Sequence, residues 1–392
     1  MKTLLRQALS LAALPSLALA VYAPIPEQDQ GKALTVRLGA SVSHDSNIFG
    51  SPTNEIDSMV YSFTPSIAFN GSVTDQTFVS AGYDLRLDNF SDRPGDKTVD
   101  SHTFSGRVAH QFAPTTTVDV SDTYQIARNP ESLLAGVPIN TDQSFKSNQF
   151  NIRYSAALGQ KTTTVVKYRN LMFDYDNPNL GASLDRVENL AGAEVSFAYL
   201  PETKLVGEYR YLDVAYDVGG AGKDKQSHYF MAGADYSPNQ QVTVTGRLGL
   251  ENRSREAESD TTAPYAELSL RYAYTEGSYV AAGYSYALEE SSDTNRFTDT
   301  QVSRLFLNFE HKLTALVIAT GSFTYEPAQL QGRRGIAADI DEDSSRVGLG
   351  LNWLPNKNWL VGASVDFDRV SSDDINREQD RTRVGVNARY SF

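Results

Sequence analysis

Along most of the chain, segments in which apolar residues recur at every second position are separated by connections. These connections alternate between short and long. In T77-F-V-S-A-G-Y-D-L-R-L-D88, every second residue from Val79 to Leu87 is apolar, and the residues between them are small or charged. Strict alternation of this kind predicts a β-strand with one apolar face and one polar face. The same pattern recurs in residues 118–124, 205–211, 242–250, 268–274, 347–353 and 383–392.

The connections fall into two classes that follow each other in turn. The short ones, rich in Gly, Pro and Asn, lie at residues 70–75, 113–116, 159–161, 200–203, 237–240, 275–278, 311–314 and 354–358. The long polar ones are centred near residues 48–57, 89–100, 128–144, 174–187, 214–227, 251–263, 288–300, 326–345 and 368–380. This division delimits about eighteen strands, an even number within the range of bacterial outer-membrane barrels.

Sorting of the connections by length favours a transmembrane barrel over a water-soluble sheet. A secreted β-sandwich or β-solenoid also alternates its faces, but it has no reason to gather long loops at one end. A barrel has tight periplasmic turns and long outer loops, and only a closed sheet satisfies every backbone N–H and C=O in lipid. The sequence therefore predicts an all-β fold, a transmembrane antiparallel up-and-down β-barrel of about 18 strands with short periplasmic turns and long extracellular loops.

Aromatic residues on the apolar face lie at both strand ends, where the two membrane interfaces select them. Those beside the short turns are Phe69, Phe112, Tyr199, Tyr236, Tyr274, Trp353, Trp359 and Phe392. Those toward the long loops are Tyr124, Tyr211, Tyr286, Tyr325 and Phe367. The mean hydropathy of −0.38 is compatible with a barrel, because only alternate strand residues would contact lipid.

The first residues have the features of a cleaved export signal. Lys2 and Arg6 precede a short apolar core, and Ala18-Leu19-Ala20 is a small-x-small cleavage site. The predicted organisation is a signal peptide at residues 1–20, a short periplasmic segment at 21–33 and a transmembrane barrel at 34–392. The alternative is a retained anchor, although the apolar core is shorter than the roughly 20 residues of a spanning helix.

The last strand is expected to close the cylinder by pairing with the first, residues 34–42. Val384, Val386 and Ala388 alternate with polar residues and lead to Tyr390 and Phe392. Tyr390 and Phe392 are similar to the signal that the barrel assembly machinery recognises, so that machinery is a predicted partner.

Composition excludes several classes of function. The chain has no cysteine, which rules out disulfides, thiol catalysis and cysteine metal sites. Its net charge is −13, and removal of Lys2 and Arg6 changes this to −15, so nucleic acid is not expected as a partner. Beyond the signal, no apolar stretch approaches the length of a spanning helix.

The segment after the first strand resembles a known family. Asp45, Asn47, Ile48 and Phe49 fit a D-x-N-[IV]-[FY] pattern, which S51-P-T-N-E-I-D57, Y83-D-L-R-L-D-N-F90 and D100-S-H102 follow. This resembles the β-barrel porin 2 family, outer-membrane barrels often found beside exopolysaccharide genes. The match covers about the first quarter of the mature chain. It implies an outer-membrane barrel and a link to polysaccharide export.

The polar strand faces should line the lumen, and nearly every strand contributes a charge there. The arginines assigned to the lumen by parity are Arg37, Arg86, Arg107, Arg153, Arg169, Arg210, Arg247, Arg271, Arg304, Arg346, Arg383 and Arg389. The acids assigned to it are Asp84, Asp119, Glu194, Glu208, Asp235, Glu267, Glu310 and Asp366. Two hypotheses follow: interstrand ion pairs that rigidify the lumen without selecting a solute, or a weakly anion-selective path that uses the arginine surplus.

Two long loops are candidates for a constriction. Residues 128–142 contain an apolar cluster of Leu133, Leu134, Val137 and Ile139, and residues 326–343 set Arg333 and Arg334 against several acids. We expect at least one of them to fold inward; the alternatives are a surface lid and a subunit contact. The acidic outer loops are either solvated or bridged by divalent cations to lipopolysaccharide, and no metal ligand is assigned.

Catalysis is not expected. His44, Asp45 and His102 form the one grouping near the loop ends that could act as a hydrolase site, but no nucleophile elbow or metal-ligand spacing accompanies it.

The sequence therefore predicts a non-enzymatic, porin-like channel of the cell outer membrane. It would pass small polar or anionic solutes and need no cofactor. The alternatives are an exopolysaccharide export conduit and a structural or adhesive surface barrel without transport. The implied partners are outer-membrane lipid, lipopolysaccharide, the assembly machinery, and either polysaccharide or small anionic solutes.

Overall fold

The computed structural model describes residues 33–128, 144–256 and 258–392, which form one closed antiparallel sheet. Each strand of this part of the chain pairs with its neighbours in sequence, and β1 also pairs with β18, which confirms the predicted barrel of 18 strands. The strands are β1 Leu34–Asp45, β2 Ser58–Thr74, β3 Thr77–Phe90, β4 Thr98–Ala113, β5 Thr116–Ala127, β6 Phe145–Ala157, β7 Thr162–Tyr175, β8 Arg186–Leu200, β9 Thr203–Tyr216, β10 Lys225–Tyr236, β11 Val242–Arg255, β12 Thr261–Thr275, β13 Ser278–Glu290, β14 Phe297–Lys312, β15 Val317–Gly332, β16 Ile340–Trp353, β17 Trp359–Ser372 and β18 Gln379–Ser391.

Helical structure in the described residues is confined to connections between strands. Helix α1 spans Pro178–Leu184, α2 spans Gly220–Lys223, and a 3₁₀ turn spans Ile375–Arg377. None of the described helices has the length and apolarity needed to cross a bilayer.

Several long connections are shorter than the sequence analysis predicts, because the strands continue beyond the aromatic band. The connection predicted near 288–300 shrinks to residues 291–296, and the one near 326–345 shrinks to 333–339. The extra strand residues, such as 326–332, mix polar and apolar side chains on one face, as Glu326 and Leu330 show, so the two-residue repeat of hydropathy is absent there. Short and long connections still alternate except around β11, where the connections 237–241 and 256–260 have the same length.

Apolar and charged side chains lie on opposite sides of the barrel wall. On β11, Leu248 and Leu250 are exposed on the outside, at 69% and 55%. Arg247, which precedes Leu248, points inward and donates a hydrogen bond to Asp235 of β10 at 2.8 Å. The predicted sorting of side chains therefore holds on this strand.

The barrel closes through the pairing of β1 with β18. The register runs from Arg37 opposite Ser391 to Asp45 opposite Arg383, as expected for a closing strand. Near the short-turn end, the Phe392 N–H donates to the Val36 carbonyl at 2.9 Å.

At the loop end the same seam is fastened by the first residues of the D-x-N-[IV]-[FY] pattern. The Arg381 Nε donates to both carboxylate oxygens of Asp45, at 2.9 and 3.1 Å, and both side chains are buried. The Asn47 amide donates to the carbonyls of Ser51 at 2.8 Å and Asp380 at 3.1 Å. These residues therefore hold together two strands that are more than 300 residues apart in the chain.

The next residue of the pattern is part of a small core. Ile48 is buried with Val60, Phe90 and Val99, and Phe49 packs against this cluster. Because Val60 and Phe90 alternate with the outward-facing residues of their strands, the cluster lies on the inner face. The pattern thus has a clear structural role in the connection between β1 and β2.

The aromatic bands contain a feature that the sequence analysis did not anticipate. In three places a tyrosine hydroxyl lies 2.8–2.9 Å from the Nδ1 atom of a histidine on another strand. The pairs are Tyr83 with His102, Tyr209 with His228, and Tyr274 with His311. Each contact gives a hydrogen-bond partner to one polar atom of each ring on the outer wall, which suits an interfacial position.

Candidate permeation path

The lumenal arginines are mostly paired with carboxylates. Salt bridges join Arg86 to Asp88, Arg107 to Asp119, Arg169 to Glu188, Arg210 to Glu208 and Glu267, Arg247 to Asp235, Arg304 to Glu289 and Glu326, and Arg346 and Arg383 to Asp368. Arg37, Arg389, Glu310 and Asp366 also have interaction partners. This arrangement supports the hypothesis of a rigid, largely neutralised lumen.

Acids that the sequence analysis did not assign to the lumen complete several of these pairs. Asp88, Glu188 and Asp368 lie on the inner face near the loop ends of their strands, in or beside segments predicted as long connections. With these acids included, lumenal arginines outnumber lumenal carboxylates by less than the sequence predicts.

Two predicted pore-lining arginines lack a carboxylate partner within 4 Å in the described part of the chain. Arg271 stacks on Tyr279, with its guanidinium carbon 3.9 Å from the ring centroid. Arg153 lines a cavity of about 680 Å³ beside the short turns. Positive charge available to a solute is therefore concentrated toward the short-turn end.

The inner wall near the mouth carries a buried charged cluster. Arg253 contacts Glu251 and Asp299, and its Nη1–Oδ1 distance to Asp299 is 2.5 Å. The Lys225 Nζ lies 2.8 Å from Glu290 and 3.3 Å from Asp299. These contacts join β10, β11, β13 and β14, so buried charged side chains cover this part of the inner wall.

Helix α1 lies inside the mouth, although its connection was not predicted as a constriction. Leu180 and Leu184 are buried with Tyr175, and Phe145 and Phe173 pack against them. The three aromatic residues face the lumen by the alternation of β6 and β7. The connection between β7 and β8 therefore narrows the entrance.

A local sequence signal for α1 is present. The Asn177 side chain accepts a hydrogen bond from the Asn179 N–H at 2.9 Å, and Pro178 begins the helix. An N-cap asparagine followed by proline is a helix-start signal, and Leu180 and Leu184 share one helical face. An apolar pair in an otherwise polar loop could have identified this segment as inward-folding.

Contacts between three loops cross the mouth. The Ser183 carbonyl and hydroxyl accept hydrogen bonds from Thr294 at 2.8 Å and Asn295 at 2.9 Å. Arg296 Nη1 then donates to Asp374 at 2.8 Å. We call residues 183, 294–296 and 374 the mouth bridge.

The mouth bridge spans most of the opening. It links the connections that follow β7, β13 and β17, so its two ends are ten strands apart in a ring of eighteen. A separation close to half the ring places the two ends on nearly opposite sides. Passage through the barrel must therefore go around or displace these loops.

Arg333, a predicted constriction residue, contacts the mouth bridge. Its Nε donates to the Thr294 carbonyl at 2.8 Å, and its Nη1 donates to Glu258 at 3.3 Å. Arg334, the second candidate in this loop, is exposed. Leu133, Leu134, Val137 and Ile139 lie outside the described residues.

The environment of the loops shifts two ionisation equilibria. The hydrogen bond from Arg296 holds the pKa of Asp374 below its ordinary value. Burial lowers the pKa of Lys223, whose Nζ donates to the Ala182 carbonyl at 2.7 Å. The acid of the mouth bridge is thus held in its charged form, which favours the contact with Arg296.

The three residues considered for catalysis are not brought together. Asp45 points inward to Arg381, whereas His44 points outward and lies 3.3 Å from Asp57. His102 contacts Asp100 and Tyr83 on the outer wall. Adjacent residues of a strand face opposite sides, so His44 and Asp45 cannot share a site.

No family model and no curated protein matches the chain. The family resemblance of the first quarter therefore stays a prediction. Among solved structures, OccAB3 from Acinetobacter baumannii is similar at 12% identity and a TM-score of 0.47, over 92% of this chain and 98% of that one.

The outer membrane protein OpdK from Pseudomonas aeruginosa is similar at 11% identity and a TM-score of 0.49, over 92% and 99%. The FrpB iron transporter from Neisseria meningitidis is similar at 11% identity and 0.46, over 88% of this chain and 63% of that one. The barrel itself is established by its hydrogen-bonded strand order.

Proposed function

We propose that the chain is an outer-membrane channel that passes small polar solutes passively through its lumen. The observation that carries the proposal is the sorting of side chains across a closed wall. Apolar residues such as Leu248 and Leu268 are exposed on the outside, and ion pairs such as Arg107 with Asp119 line the inside. A closed sheet with this polarity is suited to lipid outside and water inside.

The size of the permeant is limited by the mouth. An eighteen-stranded wall could enclose an aqueous channel, but α1 and the mouth bridge occupy its entrance. Because the charges along the wall are paired, the lumen should accept hydrated polar solutes in general and should not select one particular ion. The proposal is therefore a narrow pore for small molecules, including small anions.

Export of polysaccharide and a purely structural role are the remaining alternatives. The residues that suggested the polysaccharide link, Asp45, Asn47 and Ile48, fasten the barrel seam and pack a small core. Their contacts explain them without a polysaccharide. Polysaccharide export stays a prediction. A measurement of conductance distinguishes a pore from a structural barrel.

Planar bilayers test the proposed channel. We expect discrete conductance steps and a reversal potential only slightly displaced toward chloride, because most lumenal charges are paired. Protein that is folded, as judged by its heat-dependent mobility in gels, yet gives no steps would contradict the channel. A strong preference for cations would contradict the passage of anions.

Contact with lipid can be tested at Asp122. This acid is exposed on the outer wall between Val120 and Tyr124, and Gly106 on the neighbouring strand leaves open space beside it. Replacing Asp122 with leucine should stabilise the barrel in lipid vesicles by about 1–2 kcal/mol, because a carboxylate facing lipid is destabilising. Urea unfolding would measure the change.

Asp119 provides the matched control on the same strand. Its side chain points inward and forms a salt bridge with Arg107. Asp119→Leu should therefore destabilise the barrel, by about 2 kcal/mol or more, since it leaves an arginine without its partner. Loss of stability in Asp122→Leu would show that something other than lipid covers this part of the wall.

A further inference from the structure

The cavity that Arg153 lines is built from strands at the short-turn end of the lumen. Its inward-facing polar lining includes Ser72 of β2, Gln111 of β4, Thr117 of β5, and Arg153 and Ser155 of β6. These side chains supply hydroxyl and amide groups around one guanidinium. The cavity volume of about 680 Å³ is sufficient for a sugar-sized molecule.

The carboxylate directly opposite Arg153 in the sheet is engaged elsewhere. Asp119, its cross-strand partner, accepts hydrogen bonds from the Arg107 Nε at 3.0 and 3.1 Å. On the other side Arg153 lies opposite Lys167, which forms a salt bridge with Glu208. In the described residues, no carboxylate lies within 4 Å of the Arg153 guanidinium.

This situation differs from that of the other lumenal arginines. Most of them face an acid, so an anion passing them would have to displace an existing partner. Arg153 can donate to an incoming anion without breaking a salt bridge. Asp75 in the adjoining turn and Asp119, which pairs with Arg107, also line the cavity, and their charges favour a ligand that carries one negative charge and otherwise neutral hydroxyls.

We propose that this cavity, which we call the Arg153 pocket, is a binding site for small hydroxylated carboxylates such as sugar acids. The guanidinium holds the carboxylate through two parallel hydrogen bonds, and the serine, threonine and glutamine side chains bind the hydroxyls. The inference deepens the proposed function, on which it rests, by naming the class of solute that the pore retains before release.

Block of single-channel current by glucuronate tests the pocket, with glucose as the neutral probe. Glucuronate should block the open channel at concentrations where glucose does not. Arg153→Gln should raise the half-blocking glucuronate concentration about tenfold or more, the usual effect of losing a charge-assisted hydrogen bond. The conductance of each variant in potassium chloride without glucuronate is the baseline against which its block is expressed.

Arg271→Gln is the matched control, because it removes the same charge from the same end of the lumen outside the pocket. It should leave glucuronate block nearly unchanged. An equal loss in both variants, or none in Arg153→Gln, would overturn the pocket while leaving the channel in place. Absence of any conductance would instead overturn the proposed function, and direct binding measured by calorimetry would then decide the pocket separately.

Discussion

Replacing Asp45 with alanine is expected to destabilise the folded barrel by about 3–5 kcal/mol, because it leaves a buried arginine without its counter-ion. Asp45 and Arg381 are only 5% and 7% exposed, and the Asn47 N–H also donates to Asp45 at 3.1 Å. The loss falls at the seam between β1 and β18. Urea unfolding in lipid vesicles, followed by tryptophan fluorescence, would measure it.

Asp57 offers a control in the same connection. It pairs with His44 at 3.3 Å, but the two side chains are 74% and 50% exposed. An exposed pair contributes about 0–1 kcal/mol, so Asp57→Ala should have little effect. The double replacement of Asp45 and Arg381 with leucine should recover part of the lost stability. Equal effects of Asp45→Ala and Asp57→Ala would refute the role of the seam pair.

Replacing Leu180 and Leu184 with alanine is expected to release α1 from the lumen and raise the conductance. Each buried leucine-to-alanine change costs about 2–5 kcal/mol, which shifts the docking equilibrium of the loop by a factor of roughly a hundred or more. The strands should stay folded, because loops open at lower free energy than the sheet. Single-channel recording would show larger steps.

The control for this variant alters apolar loop residues that are already exposed. Val218 and Ile336 are 52% and 68% exposed, so their replacement with alanine should leave the conductance unchanged. Limited proteolysis would report independently whether the connection of α1 has become accessible. If proteolysis shows a released loop while the conductance stays the same, α1 does not limit passage.

The sequence alone was sufficient to predict the number of strands and the alternation of apolar and polar faces along them. Both depend on a two-residue repeat that is local in the chain, as in residues 77–88. Closure between β1 and β18 was also predictable, because the ends of such a sheet must pair. The inward direction of Arg86 and Arg247 follows from the same parity.

The loops were predicted less well for a physical reason. The predicted connections 326–343 and 174–187 are both long and polar. The length and composition of a connection do not determine its path. The capped helix with Leu180 and Leu184 was a usable signal within one of them. The sequence gives no comparable signal for the surface against which this helix packs, since Phe145 and Phe173 become neighbours only after β6 and β7 pair.

What the sequence by itself determined is the barrel, because strand periodicity acts between neighbouring residues and the sorting of apolar side chains follows from it. The tertiary structure alone decided which charges meet. Thr294 reaches Ser183 across 111 residues, and Arg381 reaches Asp45 across 336. Parity brings an arginine to the inner face, but only the register and curvature of the closed sheet decide that Arg107 takes Asp119 and leaves Arg153 available to a solute.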